Sequence, residues 1–335
     1  MKTIVRRFTT LRFLPLLVAL GIVSNAVATP HRQSNTLTRR IPVILDTDIG
    51  DDIDDTWALG LLLKSPEFDV KLVVGEYGKT EYRAKLIAKF LERAGRADVG
   101  VGVGMKSGPD GEGQLSEWVK DYNLDRYPGK VHRDGVQAMI DTIMRSREQV
   151  TLICIGPMPN LAAALEREPG IARRVNLVNM AGSVRVGYGG SKTVSAEWNV
   201  KADVASAQRV FSAPWKSMTI TPLDTCGLVS LEGDQYQRVV KSIDPIATEI
   251  VENYRLWSKQ GKFDEDHRST TLYDTVAVYL AIHKNLCQME SLKIRVSNDG
   301  LTVIDPTARS ISVATAWKDL NNYREFLVQR LTGSK

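Results

Sequence analysis

Six aspartates crowd into residues 46–55: Asp46, Asp48, Asp51, Asp52, Asp54 and Asp55. They directly follow an apolar run at residues 41–45. Like charges this close repel one another, and the cost grows where water is scarce. Capping a helix takes one or two acids, so a solvated capping loop does not account for six. No lysine or arginine lies within the stretch, so positive charge must come from elsewhere. All the donors are hard oxygens, which suit a divalent cation. Ca²⁺ is favoured over Mg²⁺ because it accepts more ligands in looser geometry. Zinc is not expected, because Cys154, Cys226 and Cys287 show no ligand spacing with one another or with His132, His267 and His283. The glycines at residues 187–190 lack the Lys-Ser/Thr ending of a phosphate loop.

The surrounding pattern says what must position these acids. Residues 41–45 form a β-branched apolar run that reads as a buried strand ending at Asp46. Similar runs at residues 70–74, 99–103, 150–155, 175–180 and 218–223 read as further strands. Helical periodicity separates them at residues 56–64, 81–94, 135–146, 160–166 and 202–211. Residues 106–130 are rich in Gly, Asp and Pro and read as a long loop or lid. Strands alternating with helices predict a single large α/β domain over residues 41–335, with a mostly parallel central sheet flanked by helices. In such sheets ligands bind beyond the carboxyl ends of the strands. That draws attention to residues 46–55, Ile155-Gly156-Pro157, residues 180–199 and Tyr273-Asp274.

Four motifs in this order resemble the nucleoside hydrolase family of the inosine/uridine-preferring type. They are Asp46-Thr47-Asp48 with Asp54-Asp55 and Ala58-Leu59; residues 150–157 with Asn160-Leu161-Ala162; Met180 with Ala196-Glu197-Trp198-Asn199 and Ala202-Asp203; and Tyr273-Asp274 with Ala277. The first is a variant, Asp-x-Asp-Ile-Gly-x-Asp-x-Asp-Asp, with two extra residues before the final acidic pair. The resemblance implies Ca²⁺-dependent hydrolysis of the N-glycosidic bond of ribonucleosides. It implies Ca²⁺ held by Asp48, Asp55, the Ile155 carbonyl and Asp274. Asp48 would also take the proton from the attacking water, and Asp54 would bind the ribose 2′- and 3′-hydroxyls. Glu197 and Asn199 would hold the 5′ and 3′ side of the sugar, with Tyr273 on the substrate as well. Asp46 would stand behind the ligands and orient the loop. The two extra residues leave either Asp52 or Asp54 for the ribose hydroxyls; Asp54 is favoured because it directly precedes Asp55, and Asp52 would then stand behind the ligands or extend the metal ligation.

The chain departs from the family pattern in places. The residue before Asp274 is Tyr273, where related members often carry a histidine that assists the leaving base. Gly78 is followed by Lys79, where the family often places Asn after the glycine of its second strand. Two other readings follow from the same residues. A strand ending in Asp-Thr-Asp also suits a metal-dependent phosphohydrolase, which would release phosphate from phosphomonoesters. A non-catalytic Ca²⁺-dependent nucleoside- or sugar-binding protein would bind without turnover. Among the aromatics, Trp118, Tyr122, Tyr127, Trp198 and Trp257 are candidates for stacking a nucleobase.

The net charge of +5 is modest, and no basic stripe is interleaved with aromatics, which argues against a nucleic-acid partner. The expected partner is a small-molecule nucleoside, and a homo-oligomer is left open. Lys2, Arg6, Arg7 and Arg12, the apolar residues 13–23 and Ala26-Val27-Ala28 together read as an export signal over residues 1–28. Residues 29–40 read as a polar, disordered lead-in. The apolar run is too short for a comfortable membrane span, so no stable membrane association is expected after cleavage. The mature protein is expected outside the cytoplasm, periplasmic or secreted, starting near Thr29. N-terminal sequencing of native protein that found Met1 intact would refute this.

Overall fold

The computed structural model describes residues 39–111, 113–259 and 266–333, together with residues 3, 7–11, 13 and 14. By their contacts the chain divides into residues 1–38 and residues 39–335. The expected cleavage site, most of the apolar run before it and most of the lead-in lie outside the described residues.

The first strand, β1 (Ile41–Thr47), is buried from Pro42 onward. Beside it lie β2 (Phe68–Gly75), β3 (Gly100–Val103) and β4 (Val131–His132) on one side, all parallel. On the other side lie β5 (Val150–Cys154), β6 (Val175–Met180) and β7 (Ser217–Thr221), also parallel. The sheet is completed by β8 (Cys287–Val296), β9 (Thr302–Ile304) and β10 (Ser310–Trp317). The order is β4-β3-β2-β1-β5-β6-β7-β10-β8-β9. β10 joins β7 in parallel, and β8 and β9 form an antiparallel edge.

Alternate residues of the central strands feed two cores. Val43, Leu45, Val73 and Ile153 face one side, while Ile44, Leu72, Val74 and Leu152 face the other. The first core is covered by α1 (Asp54–Leu63), α2 (Thr80–Arg93), α7 (Gly233–Val240), α8 (Pro245–Ser258), α9 (Thr275–Leu280) and α10 (Leu320–Thr332). The second is covered by α3 (Gly135–Arg145), α4 (Pro159–Arg167) and α6 (Val204–Ser212). A fully buried strand must therefore be apolar on both faces, which is why these strands read as continuous apolar runs.

The structure bears out the expected fold and moves some boundaries. β1 runs on to Thr47, because its last residues still pair with β2. α1 begins at Asp54 rather than residue 56, since carboxylates favour the positive end of a helix. The helix expected over residues 202–211 is α6, which begins only at Val204; a separate short helix, α5 (Trp198–Ala202), precedes it, with Asp203 between the two. Asp203 caps α6 by accepting the Ser206 N–H. Within the segment expected as a loop or lid, Leu115, Trp118 and Val119 are buried in the first core.

The chain order makes the crevice. From β1 it proceeds outward through β2, β3 and β4, then returns to β5 on the opposite side of β1. At such a reversal the loops leave the two central strands in opposite directions and open a cleft at their carboxyl ends. Asp46 lies in register with Cys154 there, and the Ile155 N–H donates to the Asp46 carbonyl at 2.9 Å.

Candidate active site

The cleft at this reversal has a volume of about 430 Å³. Its floor is set by the strands. Asp46 and Thr47 are the last residues of β1, and Asp48 follows them. Asp46 is fully buried and accepts a 2.8 Å hydrogen bond from Asn160 Nδ2, while Asn160 Oδ1 accepts from the Met105 N–H. Thr47 Oγ1 donates to Asp55 and accepts the Ile49 N–H. Asp48 leans toward the turn after β5: a Cβ added at Gly156 would lie 2.6 Å from Asp48 Oδ1 and 2.9 Å from Glu76 Oε1. Only glycine leaves room for both carboxylates.

Two helix starts bring the remaining acids together. Asp54 and Asp55 open α1, and Asp274 is the residue before α9. α1 packs on α9, and the Asp274 N–H donates to Asp54 Oδ2 at 3.2 Å. As a result Asp54, Asp55 and Asp274 each place an oxygen within 4.8 Å of the others. All three are buried. Asp48 and Ile155 line the same cleft. The structure thus gathers Asp54, expected only on the sugar, into the acidic group with Asp55 and Asp274. The Asp274 N–H draws it there.

Asp52 and Asp51 also line the cleft. Asp52 is exposed, and its Oδ1 accepts the Ile53 N–H at 2.7 Å. Asp51 pairs with Arg83 at 2.7 Å. Arg83 is an internal cation from α2 that supplies part of the positive charge the aspartate-rich stretch lacks.

The opposite wall comes from the segment after β6. Glu197 is buried, and its two oxygens accept the N–H groups of Gly182 (2.9 Å) and Asn199 (2.8 Å). Asn199 Nδ2 donates to the Ile155 carbonyl at 3.1 Å and to the Met180 carbonyl at 3.0 Å. These bonds fix Glu197 and Asn199 before any ligand arrives. The rim is aromatic: Tyr188, Trp198, Trp257 and Tyr273 line it. Tyr188 and Tyr273 meet edge to face, 6.4 Å between ring centres, and Tyr188 OH accepts the Trp198 N–H. Trp118, Tyr122 and Tyr127, the other stacking candidates, lie away from the cleft. Trp118 instead packs under Lys89, and Tyr127 OH donates to the Val99 carbonyl.

Sequence reasoning missed Glu76 and Arg83. Glu76 follows Gly75, the last residue of β2, and is fully buried near Asp46, with Cys154 Sγ 3.7 Å from its Oε1. Lys79, noted above where the family often places Asn, sits just before α2 and does not line the cleft. The glycine that closes β2 is Gly75, not Gly78, so the site residue after it is an acid. Helix position in α2 and a strand end at Gly75 were the only available signals for the pair.

Burial sets the electrostatics. It pushes Asp54, Asp55, Asp274 and Glu76 well above the usual carboxylate range, and neighbouring carboxylates add to the shift. Burial raises Asp48 to about 6 and Asp46 to about 7, against the opposing pull of Arg83 and Asn160 respectively. Glu197 is raised to about 7, again by burial. Charge this concentrated in low dielectric is relieved either by protons or by a cation. The donor set of Asp54, Asp55 and Asp274 is all oxygen, and each of these carboxylates is buried. Those features fit a hard divalent metal.

Comparison with known proteins agrees with this geometry. Residues 43–326 match the family model described as inosine-uridine preferring nucleoside hydrolase. The pyrimidine-specific ribonucleoside hydrolase RihA of Citrobacter koseri is 26% identical over 231 residues, 63% of this chain and 69% of that protein. A plant nucleoside hydrolase structure superposes with a TM-score of 0.73 at 22% identity, covering 88% of this chain and 99% of that one. The purine-preferring ribonucleoside hydrolase of Gardnerella vaginalis gives 0.71 at 20% identity, over 87% and 98% of the two chains. The chain belongs to the inosine-uridine preferring nucleoside hydrolase family and is a hydrolase of N-glycosyl bonds.

Proposed function

We propose that this protein hydrolyses ribonucleosides to ribose and free base with a bound Ca²⁺. The observation that carries this reading is the convergence of Asp54, Asp55 and Asp274 at two neighbouring helix starts, on the floor of an aromatic-rimmed cleft. Asp48, Asp55, Asp274 and the Ile155 carbonyl would hold the ion. When bound, it supplies the positive charge that keeps these acids ionised and makes water easier to deprotonate. Asp48 takes the proton of the attacking water. Asp54 holds the ribose 2′- and 3′-hydroxyls, and Glu197 and Asn199 take the other edge of the sugar.

Cleavage of the glycosidic bond develops positive charge on the ribose ring, which a wall of carboxylates stabilises. Burial pushes the Tyr273 phenol up to about 12. It therefore keeps its proton at neutral pH and can donate it as a hydrogen bond to the departing base, the task related proteins give to histidine. Tyr188, Trp198 and Trp257 offer faces on which a base can lie.

Asp54 is favoured over Asp52 for the sugar because Asp54 is buried at the start of α1, whereas Asp52 is exposed and turned to its neighbour's N–H. The phosphohydrolase reading asks for a lysine at the phosphate, and none lines the cleft among the described residues. Export, proposed from the N-terminal charge and apolar pattern, would place this activity outside the cytoplasm.

A panel of nucleosides assayed for free base, with calcium and with chelator, tests the reaction. Base release that calcium restores is expected; phosphate release from phosphomonoesters without base release would overturn it, and binding without turnover would leave a non-catalytic protein. Asp48→Asn should lower kcat by about 10²-fold or more with little change in KM. Asp54→Ala should raise KM and lower kcat together. If Asp52→Ala proves more damaging than Asp54→Ala, the sugar assignment passes to Asp52.

The raised carboxylates also predict the pH dependence of stability. The unfolded chain loses these protons near pH 4, roughly the ordinary carboxylate value. The folded chain keeps them to about 6 at Asp48 and about 7 at Asp46 and Glu197. Between those limits the folded state binds more protons, so metal-free stability must fall as pH rises. Thermal melts of chelated protein should show a lower Tm at about pH 7.5 than at about pH 5, and calcium should raise Tm more at the higher pH. A metal-free Tm that climbed over this range would contradict the burial of ionisable acids described above.

A further inference from the structure

Arg83 is 1% exposed and uses all three guanidinium nitrogens on the loops that flank the cleft. Its Nη1 donates to the Asp48 carbonyl and, at 3.0 Å, to the Ile49 carbonyl. Its Nη2 donates to Asp51 Oδ2 at 2.7 Å. Its Nε donates to the Tyr77 carbonyl at 2.7 Å. One side chain therefore ties the loop after β1 to the loop after β2.

Both loops need holding. Tyr77 has φ of 60°, in the left-handed region that a bulky side chain adopts only when its surroundings impose it. Gly50 has φ of +113°, and a Cβ there would lie 2.4 Å from Leu86 Cδ1. Neighbours complete the frame around the two extra residues of the acidic loop. Tyr82 OH donates to the Gly50 carbonyl at 3.1 Å and accepts the Leu115 N–H at 2.9 Å. Trp257 Nε1 donates to the Asp51 carbonyl at 3.0 Å.

The geometry points to Arg83, aimed by Asp51, as the positioning residue that sets the backbone at Asp48 and thereby the calcium-binding and proton-accepting geometry of its carboxylate. This rests on the calcium reading above. A planar fork holding two carbonyls and a carboxylate fixes direction as well as charge, which a lysine cannot do. A buried ion pair that only fills the core would alter stability and nothing else.

Arg83→Lys keeps the charge and removes the fork. Calorimetric titration of the chelator-stripped full chain with Ca²⁺ alone should show affinity weakened by about 10- to 100-fold. In turnover, kcat should fall by a similar factor, again about 10- to 100-fold, with KM moving by less than about twofold. Asp51→Ala, on a side chain one-third exposed (34%), should weaken calcium binding in the same direction. Part of that loss should persist at about 1 M salt, where charge at a distance is screened. Wild-type calcium affinity and wild-type kcat in both variants, with only Tm lowered, overturns the proposal. Should Arg83→Lys fail to fold, Asp51→Ala decides alone, and an affinity loss that high salt abolishes entirely counts against positioning. A wild-type chain that binds calcium but cleaves no nucleoside sinks the catalytic reading while the titrations still decide Arg83. A wild-type chain that binds no calcium sinks both.

Discussion

Carboxylates packed at the end of a buried strand repel one another and lose their water, and the architecture around them can be understood as a response to that cost. Asp46, Glu76, Asp48, Asp54, Asp55 and Asp274 are all buried in one region. A helix start stabilises a nearby anion by about 0.3–1 kcal/mol, whereas the penalty for burying an ion is several kcal/mol even after relaxation. Asp54 and Asp55 at the head of α1, the Asn160 amide on Asp46 and the single guanidinium of Arg83 therefore offset only part of the cost. The remainder falls to bound protons in the metal-free protein and to a cation when one is present.

The fold delivers these groups from its central, buried and doubly paired strands. β1 and β5 lie at the centre of the sheet, and the reversal of strand order between these parallel neighbours opens the cleft without breaking either strand's pairing. Asp48 and Ile155 leave those two strands, while the wall opposite leaves β6. Asp274 comes from far along the chain, on a helix start held against α1 by apolar packing in which Trp57, Val276 and Leu280 are buried. An acid brought in by a helix start also brings its own N–H, and that N–H fixes Asp54. The same contact both draws the carboxylates together and tempers their repulsion.

What could be read from the sequence followed from how strongly each feature marks a pattern. Strands buried on both faces leave continuous apolar runs, so the parallel sheet and its order of strands and helices were legible. Asp46, Asp48, Asp54 and Asp55 stood out because six acids in ten residues have few ordinary reasons to cluster, and Asp274 stood out through the resemblance of its segment to the family's C-terminal motif. β8 alternates exposed and buried residues on an antiparallel edge, and the C-terminal helices and strands escaped a reading tuned to apolar runs. Arg83 lies in a helix whose sequence, Thr80-Glu81-Tyr82-Arg83-Ala84-Lys85, has the charge mixture of a solvated surface. Its burial depends on which way that helix faces and on the loop it meets, neither of which local sequence encodes. Glu76 is a lone acid whose neighbours Asp46 and Cys154 come from other strands, so only the sheet register reveals it.

The division of the cleft into an acidic floor and an aromatic rim carries its own consequence for the proposed reaction. A neutral nucleoside has little to gain from the carboxylates in its ground state, beyond hydrogen bonds from its hydroxyls. The positive charge that spreads over the ribose as the bond to the base breaks has much to gain. An interaction that strengthens only along the reaction coordinate raises turnover, whereas one felt equally by the bound substrate does not. The rim works in the opposite sense. In the proposed reaction Tyr188, Trp198 and Trp257 would offer apolar faces to the base in the ground state, and the Tyr273 phenol, protonated at neutral pH as any phenol is, would meet the base as it gathers electrons. On the proposed reading the two halves would orient the substrate before they act on it, sugar inward and base outward. In that orientation the carboxylate floor would lie under the ring that becomes positive, and the Tyr273 phenol would lie beside the group that becomes negative.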